Sequence, residues 1–360
     1  MMSQLEELQR KISVYEPTFP SIINRIDKQL RSKLEILDDY EEYIRQLNIR
    51  SSKSLTLTAL STDIIYECST SILFAQQVTH IELDRLKRIG PEELVQYFIM
   101  KSASEEERAH PNRTIDSETT TSNQSKSSHH VHDTKLTYTF ETYIQWFNRL
   151  TFFVATEIVK HTQKRLRIQL INYFIDAAYH CLQIYNFNSM FAIIGGLSMQ
   201  PVKRLRKTWE KISLETFNQL EQFKNVSKNF ANYRNALKTA MNEAQNHRWQ
   251  LDHIVIPFTS LVSQDVYFIK TRSKDYTTEG GINLQKYYAI TKCIFEEFIE
   301  CKQSNCSFQR NDKIINYIIT SPTFNEDSLM LASFECEPAT TPHETKILTK
   351  LQEEHENRAR

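Results

Sequence analysis

The residues of this 360-residue chain that could do chemistry fall into a few short stretches, and most of them fail on spacing. Cradling a phosphate takes glycines at GxxxxGK or GxGxxG intervals, because backbone amides reach an anion only where no Cβ stands between them. The five glycines sit instead at Gly90, Gly195, Gly196, Gly280 and Gly281, and neither interval occurs. Nucleophilic or zinc-assisted hydrolysis has no GxSxG or HExxH to work with, and the six cysteines show no CxxC spacing. His129, His130 and His132 could ligate a metal, but nothing around them completes a ligand set, so polar loop filler is the preferred reading. A basic run, Lys203, Arg204, Arg206 and Lys207, ends at Trp209 in a pattern that can hold phosphate or RNA. With 44 acidic and 44 basic residues in the chain, a solvated, self-pairing helix face is expected there instead, and no nucleic acid is expected as partner. Bond-making catalysis, a metal and a cofactor are all unsupported.

One stretch remains. Residues 253–298, HIVIPFTSLVSQDVYFIKTRSKDYTTEGGINLQKYYAITKCIFEEF, read as helix, polar loop with two glycines, and helix, an αα-hairpin with Pro257 at its opening. On the first helix one stripe is Phe258, Leu261, Val262, Asp265, Val266 and Ile269, while Ser260, Ser263, Gln264, Tyr267 and Thr271 share another. Tyr267 and Phe268 are apolar intruders near the polar side. Such an aromatic either lies against another helix of the same domain or enters a partner, and composition leans towards the first.

The elements that position these residues are predicted to be helices. Phe140, Tyr143, Ile144, Phe147, Leu150, Val154 and Ile158 follow the three-and-four spacing of an amphipathic helix. The period returns in Leu166 to Ile184, in Leu214 to Phe223, and in Phe230, Tyr233, Leu237 and Met241. So few glycines argue against a turn-rich β fold and for an all-α one. Residues 101–135 are Ser-, Thr-, His- and Glu-rich with almost nothing apolar to bury, which predicts a disordered insertion. Residues 1–68 read as a helical appendage, and 339–360 as a polar, frayed or weakly helical tail. No run approaches the roughly 20 apolar residues of a membrane span, and no apolar leader is evident, so a reduced cytoplasmic protein without direct membrane insertion is expected.

Five ordered blocks then resemble the catalytic domain of Ras guanine-nucleotide exchange factors. They are FAQQVTHIELDRLKRIGPEELVQYF (74–98), YIQWFNRLTFFVATEI (143–158), NFNSMFAIIGGLSMQPVKRLRKTW (186–209), NFANYRNAL (229–237), and IPFTSLVSQDVYF followed by GINLQK. The phrases HIELDRL, IGPEE, FNRL with VATEI, and PTFNEDSLMLASFE look most like the branch called Ras-GEF domain-containing family member 1. The resemblance covers about 69–338, and the part before it is similar only to the tail of that family's N-terminal exchanger motif, which implies a truncated motif.

What the resemblance implies is an all-α bowl that grips a Ras-type small GTPase, preferentially nucleotide-free, while a protruding helical hairpin wedges one switch region away from the nucleotide. The family's hydrophobic dock for the second switch falls on Ile144, Phe230 and Phe258, with Gln145 beside them. Its blocker of the magnesium site falls on Tyr267, with Phe268 alongside. The family's acidic residue one helical turn on aligns with Thr271, and a usual Asn aligns with Ser198; both departures place exchange activity in question. A Rap-branch GTPase is favoured, and the alternative is a scaffold that binds a GTPase without exchanging its nucleotide. A lipid-anchored GTPase would recruit the protein to a membrane indirectly.

Overall fold

A computed structural model describes residues 63–90, 92–94, 96–97, 137–246, 254–294, 298 and 306–359. The expected insertion at 101–135, with its three histidines, and nearly all of the expected N-terminal motif lie outside these residues. The described residues form an all-α protein in which the only β pairings are two isolated bridges. The longer helices are α1 (Ser71–Leu86), α2 (Tyr138–Val159), α3 (Lys164–Gln183), α4 (Phe187–Leu197), α5 (Ala231–Asn246), α6 (Thr259–Arg272), α7 (Leu284–Ile294), α8 (Asp312–Thr320), α9 (Glu326–Cys336) and α10 (Pro342–Ala359).

Several helix starts are written in the sequence as polar N-caps. Thr70 accepts from the Leu73 amide, Asn186 from Ser189, Asn311 from Ile314 and Asn325 from Ser328. Each satisfies one of the amides that a helix leaves without an intrahelical partner. The apolar stripes foreseen on α2 and α3 turn inward, and Phe74, Phe153 and Phe174 are fully buried in one aromatic cluster. Burial of each such ring stabilises the fold by roughly 1.5–3 kcal/mol.

The centre of the fold is the crossing of α2 and α4. Thr151 on α2 donates through its hydroxyl to the Ala192 carbonyl of α4 at 3.1 Å. A Cβ on Gly196 would stand 2.6 Å from the Thr151 carbonyl oxygen, so the second glycine of the Gly195-Gly196 pair lets the two backbones approach.

One sequence expectation meets a different structure. Arg204, read as part of a solvated basic face, is buried: its guanidinium lies 4.1 Å over the Phe334 ring and donates to the Ser333 and Glu337 carbonyls at 2.8 Å each. Periodicity could not foresee this, because the acceptors come from a segment about 130 residues away. Residues 342–359, expected to be frayed or weakly helical, form α10, and Glu344 in its first turn pairs with Arg204 at 3.3 Å. An acidic residue in a helix's first turn also suits the helix dipole.

Candidate functional site

The hairpin grows from a firmly held base. Ile256 bridges to Asn186, with Phe187 N donating to Ile256 O at 3.0 Å and Ile256 N to Tyr185 O at 2.9 Å. Phe258 N then donates to the Tyr233 hydroxyl at 2.8 Å, and Thr259 N to Asn188 Oδ1 at 3.4 Å. Asn188 is itself held by Glu82, a wholly buried carboxylate that also accepts from Trp146 Nε1 at 3.1 Å and Ser189 Oγ at 2.9 Å. Burial pushes the Glu82 carboxyl above its ordinary range, while these hydrogen bonds pull the other way. A buried polar cluster therefore ties α1, α2 and α4 to the first residue of the hairpin.

Along α6 the two stripes separate as expected. Leu261, Val262 and Val266 are buried, while Ser260, Gln264, Tyr267 and Thr271 face solvent. Tyr267 is 37 % exposed and Phe268 40 %, with ring centroids 6.1 Å apart, so neither is walled in by its own chain. Arg272 lies 5.2 Å over the Phe268 ring and supports its outward face. The Thr271 hydroxyl donates back to its own helix, at 3.0 Å to the Tyr267 carbonyl, and supplies no charge at that position.

Phe230 and Phe268 line one cleft of about 730 Å3 between α6, α7 and residues 226–234, together with Arg234, Asp265 and Arg272. Phe230 is aimed by an unusual backbone, since Asn229 and Phe230 both adopt the left-handed region, at φ 48° and 54°. For a phenylalanine this conformation is strained, and such strain gathers where a side chain must be placed for use. Phe258 stacks on Phe191 at 4.1 Å and meets Phe147 at 5.7 Å; it is half-buried, as is Ile144, one helical turn from Phe147 on α2. Gln145 beside it is exposed. Ser198 ends α4, where its hydroxyl donates to Glu221 at 3.1 Å and accepts from Lys224 at 3.4 Å.

Sequence reasoning missed the residues that brace the hairpin. Arg234 on α5 grips Asp265 on α6 with both terminal guanidinium nitrogens. Lys286 on α7 is buried, and its ammonium donates to the Lys270 and Ser273 carbonyls at 2.7 and 2.6 Å and to Asp275 at 2.8 Å, closing the far end of α6. A signal for the first was present, since a carboxylate inside an apolar stripe needs a partner. Nothing local signalled the second.

Residues 73–288 match the family model described as RasGEF domain. The chain belongs to the RasGEF family. Its relatives include Ras-GEF domain-containing family member 1B of Homo sapiens, 38% identical over 343 residues that make up 94% of this chain and 68% of that protein. The Pongo abelii protein of the same name is 37% identical over 342 residues, again 94% and 68% of the two chains. Family member 1C of Macaca fascicularis is 35% identical over 337 residues, 93% of this chain and 67% of the relative. A RasGEF domain is a guanine-nucleotide exchange domain and implies a Ras-family GTPase as partner. Among the described residues of this RasGEF domain no helix is long and apolar enough to cross a membrane.

Proposed function

We propose that this RasGEF domain stimulates GDP release from a Ras-family GTPase, with the Rap branch favoured, by driving the α6–α7 hairpin against a switch region. The observation that carries the reading is Tyr267, a partly exposed aromatic on a helix whose opposite stripe is buried and whose base is hydrogen-bonded into the core. Ile144, Phe258 and Phe230, all half-buried at the rim of the core, form the dock for the second switch, with Gln145, Ser198 and Phe268 as flanking contacts.

The work is competition rather than covalent chemistry. A GTPase holds GDP through phosphate and magnesium contacts, and a hairpin that takes their place makes exchanger and nucleotide weaken each other's binding by the same factor. The same reciprocity makes the nucleotide-free GTPase the preferred partner, and the empty GTPase then reloads with the more abundant nucleotide. In this reading the exchange domain spans 69–338 with an insertion at 101–135, residues 1–68 are a partial N-terminal exchanger motif, 339–360 a polar tail, and the setting is the cytoplasm, with recruitment by a lipid-anchored GTPase.

Release of fluorescent GDP from purified Rap and Ras proteins tests this directly. Acceleration for one branch identifies the partner, and unaccelerated release from every Ras-family member removes the proposal.

Thr271 favours a second reading, a GTPase-binding scaffold without exchange. Its hydroxyl is turned onto its own helix and brings no negative charge to repel a phosphate. Capture on nucleotide-free against GTP-loaded GTPase separates the two, because an exchanger must prefer the empty form.

A further inference from the structure

The wedge helix begins without a cap of its own. Helices α1, α4, α8 and α9 each start on a threonine or asparagine whose side chain takes a first-turn amide, whereas α6 starts on Phe258, which has no such group to offer. Its leading amides go to side chains of other helices instead. Phe258 N donates to the Tyr233 hydroxyl on α5 at 2.8 Å, and Thr259 N, the first amide of the helix itself, to Asn188 Oδ1 on α4 at 3.4 Å. The buried hydroxyl of Thr259 finds no hydrogen-bond partner among the described residues, so this threonine is tied down through its backbone.

Which end of the Asn188 amide meets the hairpin is decided on its other side, in the core. Asn188 Nδ2 lies 3.2 Å from each oxygen of Glu82, so the nitrogen is held towards the carboxyl group and the oxygen is left facing Thr259. Glu82 is fixed in turn by Trp146 on α2 and Ser189 on α4. Asn188, enclosed with them, cannot turn without breaking several buried hydrogen bonds, and so it makes a stiff stop for the helix that leans on it.

Direction is what such a stop supplies. Beyond the packing of Leu261, Val262 and Val266, Tyr233 and Arg234 both tie the wedge helix to α5, through Phe258 N and Asp265. Ties to a single helix leave a hinge line, and the tie to Asn188 on α4 fixes the angle about it. Tyr267 stands eight residues beyond Thr259, about 12 Å along the axis, so a lean of roughly 10° at the foot displaces it by about 2 Å. A misplacement of about 1 Å is enough to cost roughly a hundredfold in a catalysed rate. We infer that Asn188 is a positioning residue for nucleotide release, capping the wedge helix from α4 and thereby fixing the line along which Tyr267 approaches the GTPase. This role rests on the exchange reading, and it falls to a buried residue that does not itself touch the partner.

GDP release by the full chain, measured over a range of concentrations of soluble GTPase, separates positioning from mere support. Thr259→Pro deletes the amide that Asn188 receives, at a helix position where proline is well tolerated and behind a Phe258 whose backbone is already extended, as a following proline requires. This variant should melt no lower than the unaltered protein. Its maximal release rate should nonetheless fall by about tenfold, with the half-saturating GTPase concentration unchanged within about twofold. Asn188→Ala should show the same split between rate and saturation, with a lower thermal midpoint because Glu82 loses a donor. An unaltered maximal rate in Thr259→Pro overturns the role. So does a raised half-saturating concentration at an unchanged maximal rate, which would place Asn188 in binding, and so does a loss in Thr259→Ala, which keeps the amide, as large as that in Thr259→Pro. Where the unaltered chain accelerates release and the variants match it, the role alone is removed; where the unaltered chain accelerates release from no Ras-family member, the exchange reading falls and the role falls with it.

Discussion

Arg234 and Asp265 meet as a two-pronged ion pair, Nη1 to Oδ2 at 2.7 Å and Nη2 to Oδ1 at 2.8 Å, and so join α5 to the first helix of the hairpin. Both side chains keep partial access to solvent, so the pair is screened, yet its forked geometry restrains the hairpin in rotation as well as distance. A double-mutant cycle with Arg234→Ala and Asp265→Ala in urea unfolding should give a coupling of about 1 kcal/mol that weakens in high salt. The exchange rate should fall further than stability does, because the hairpin's angle and not the core is what the pair holds. Equal losses in both measurements would mean that the pair is only a fastener.

Tyr267→Ala removes the central aromatic of the proposed wedge without touching the core. The nucleotide-free complex should weaken by about 2 kcal/mol or more, while the thermal midpoint of the free protein stays nearly unchanged. Titration of nucleotide-free GTPase with wild type and variant, alongside thermal melts, checks both halves.

Lys286 and Asp275 make the far end of the hairpin sensitive to acid. The hydrogen bond from the Lys286 ammonium holds the Asp275 carboxyl below the usual aspartate range, with the Lys286 charge adding to it. A depressed folded value means that the stabilisation is present above the ordinary aspartate pKa of about 3.9 and is lost as pH falls through the lower folded value. Amide resonances of Gly280 and Gly281 should therefore shift and broaden in that acid window. Lys286→Met should produce the same loosening at neutral pH, since it strands the Lys270 and Ser273 carbonyls as well as Asp275.

The paired glycines should respond in opposite ways. A methyl at Gly196 would strike the Thr151 carbonyl at 2.6 Å and the Val154 side chain at 2.8 Å, so Gly196→Ala should destabilise by about 1–3 kcal/mol. At Gly195 the nearest neighbour of a new Cβ is the Thr151 methyl at 3.4 Å, and the better helix propensity of alanine should leave Gly195→Ala neutral or up to about 1 kcal/mol more stable. Urea unfolding of the two variants distinguishes a helix crossing from a merely permissive pair.

Much of this protein was legible in its residues alone. The three-and-four spacing from Phe140 to Ile158 is α2, the Asn and Thr N-caps mark helix starts, and the alternation along 258–271 separates a buried from an exposed stripe, because each of these depends on neighbours within a turn or two. The family blocks were equally legible, since short ordered phrases persist in the chain itself. Tertiary structure decided what local pattern cannot encode. Whether Tyr267 was walled in by its own chain or left partly exposed depended on how the helices of the fold packed around α6. Whether Arg204 was a surface charge or a buried brace depended on carbonyls from α9 and the turn that follows it, about 130 residues along the chain. Asp265, Lys286 and Glu82 likewise took their roles from partners on other segments, because a charged or polar group drawn out of water needs hydrogen-bond partners that the fold brings to it.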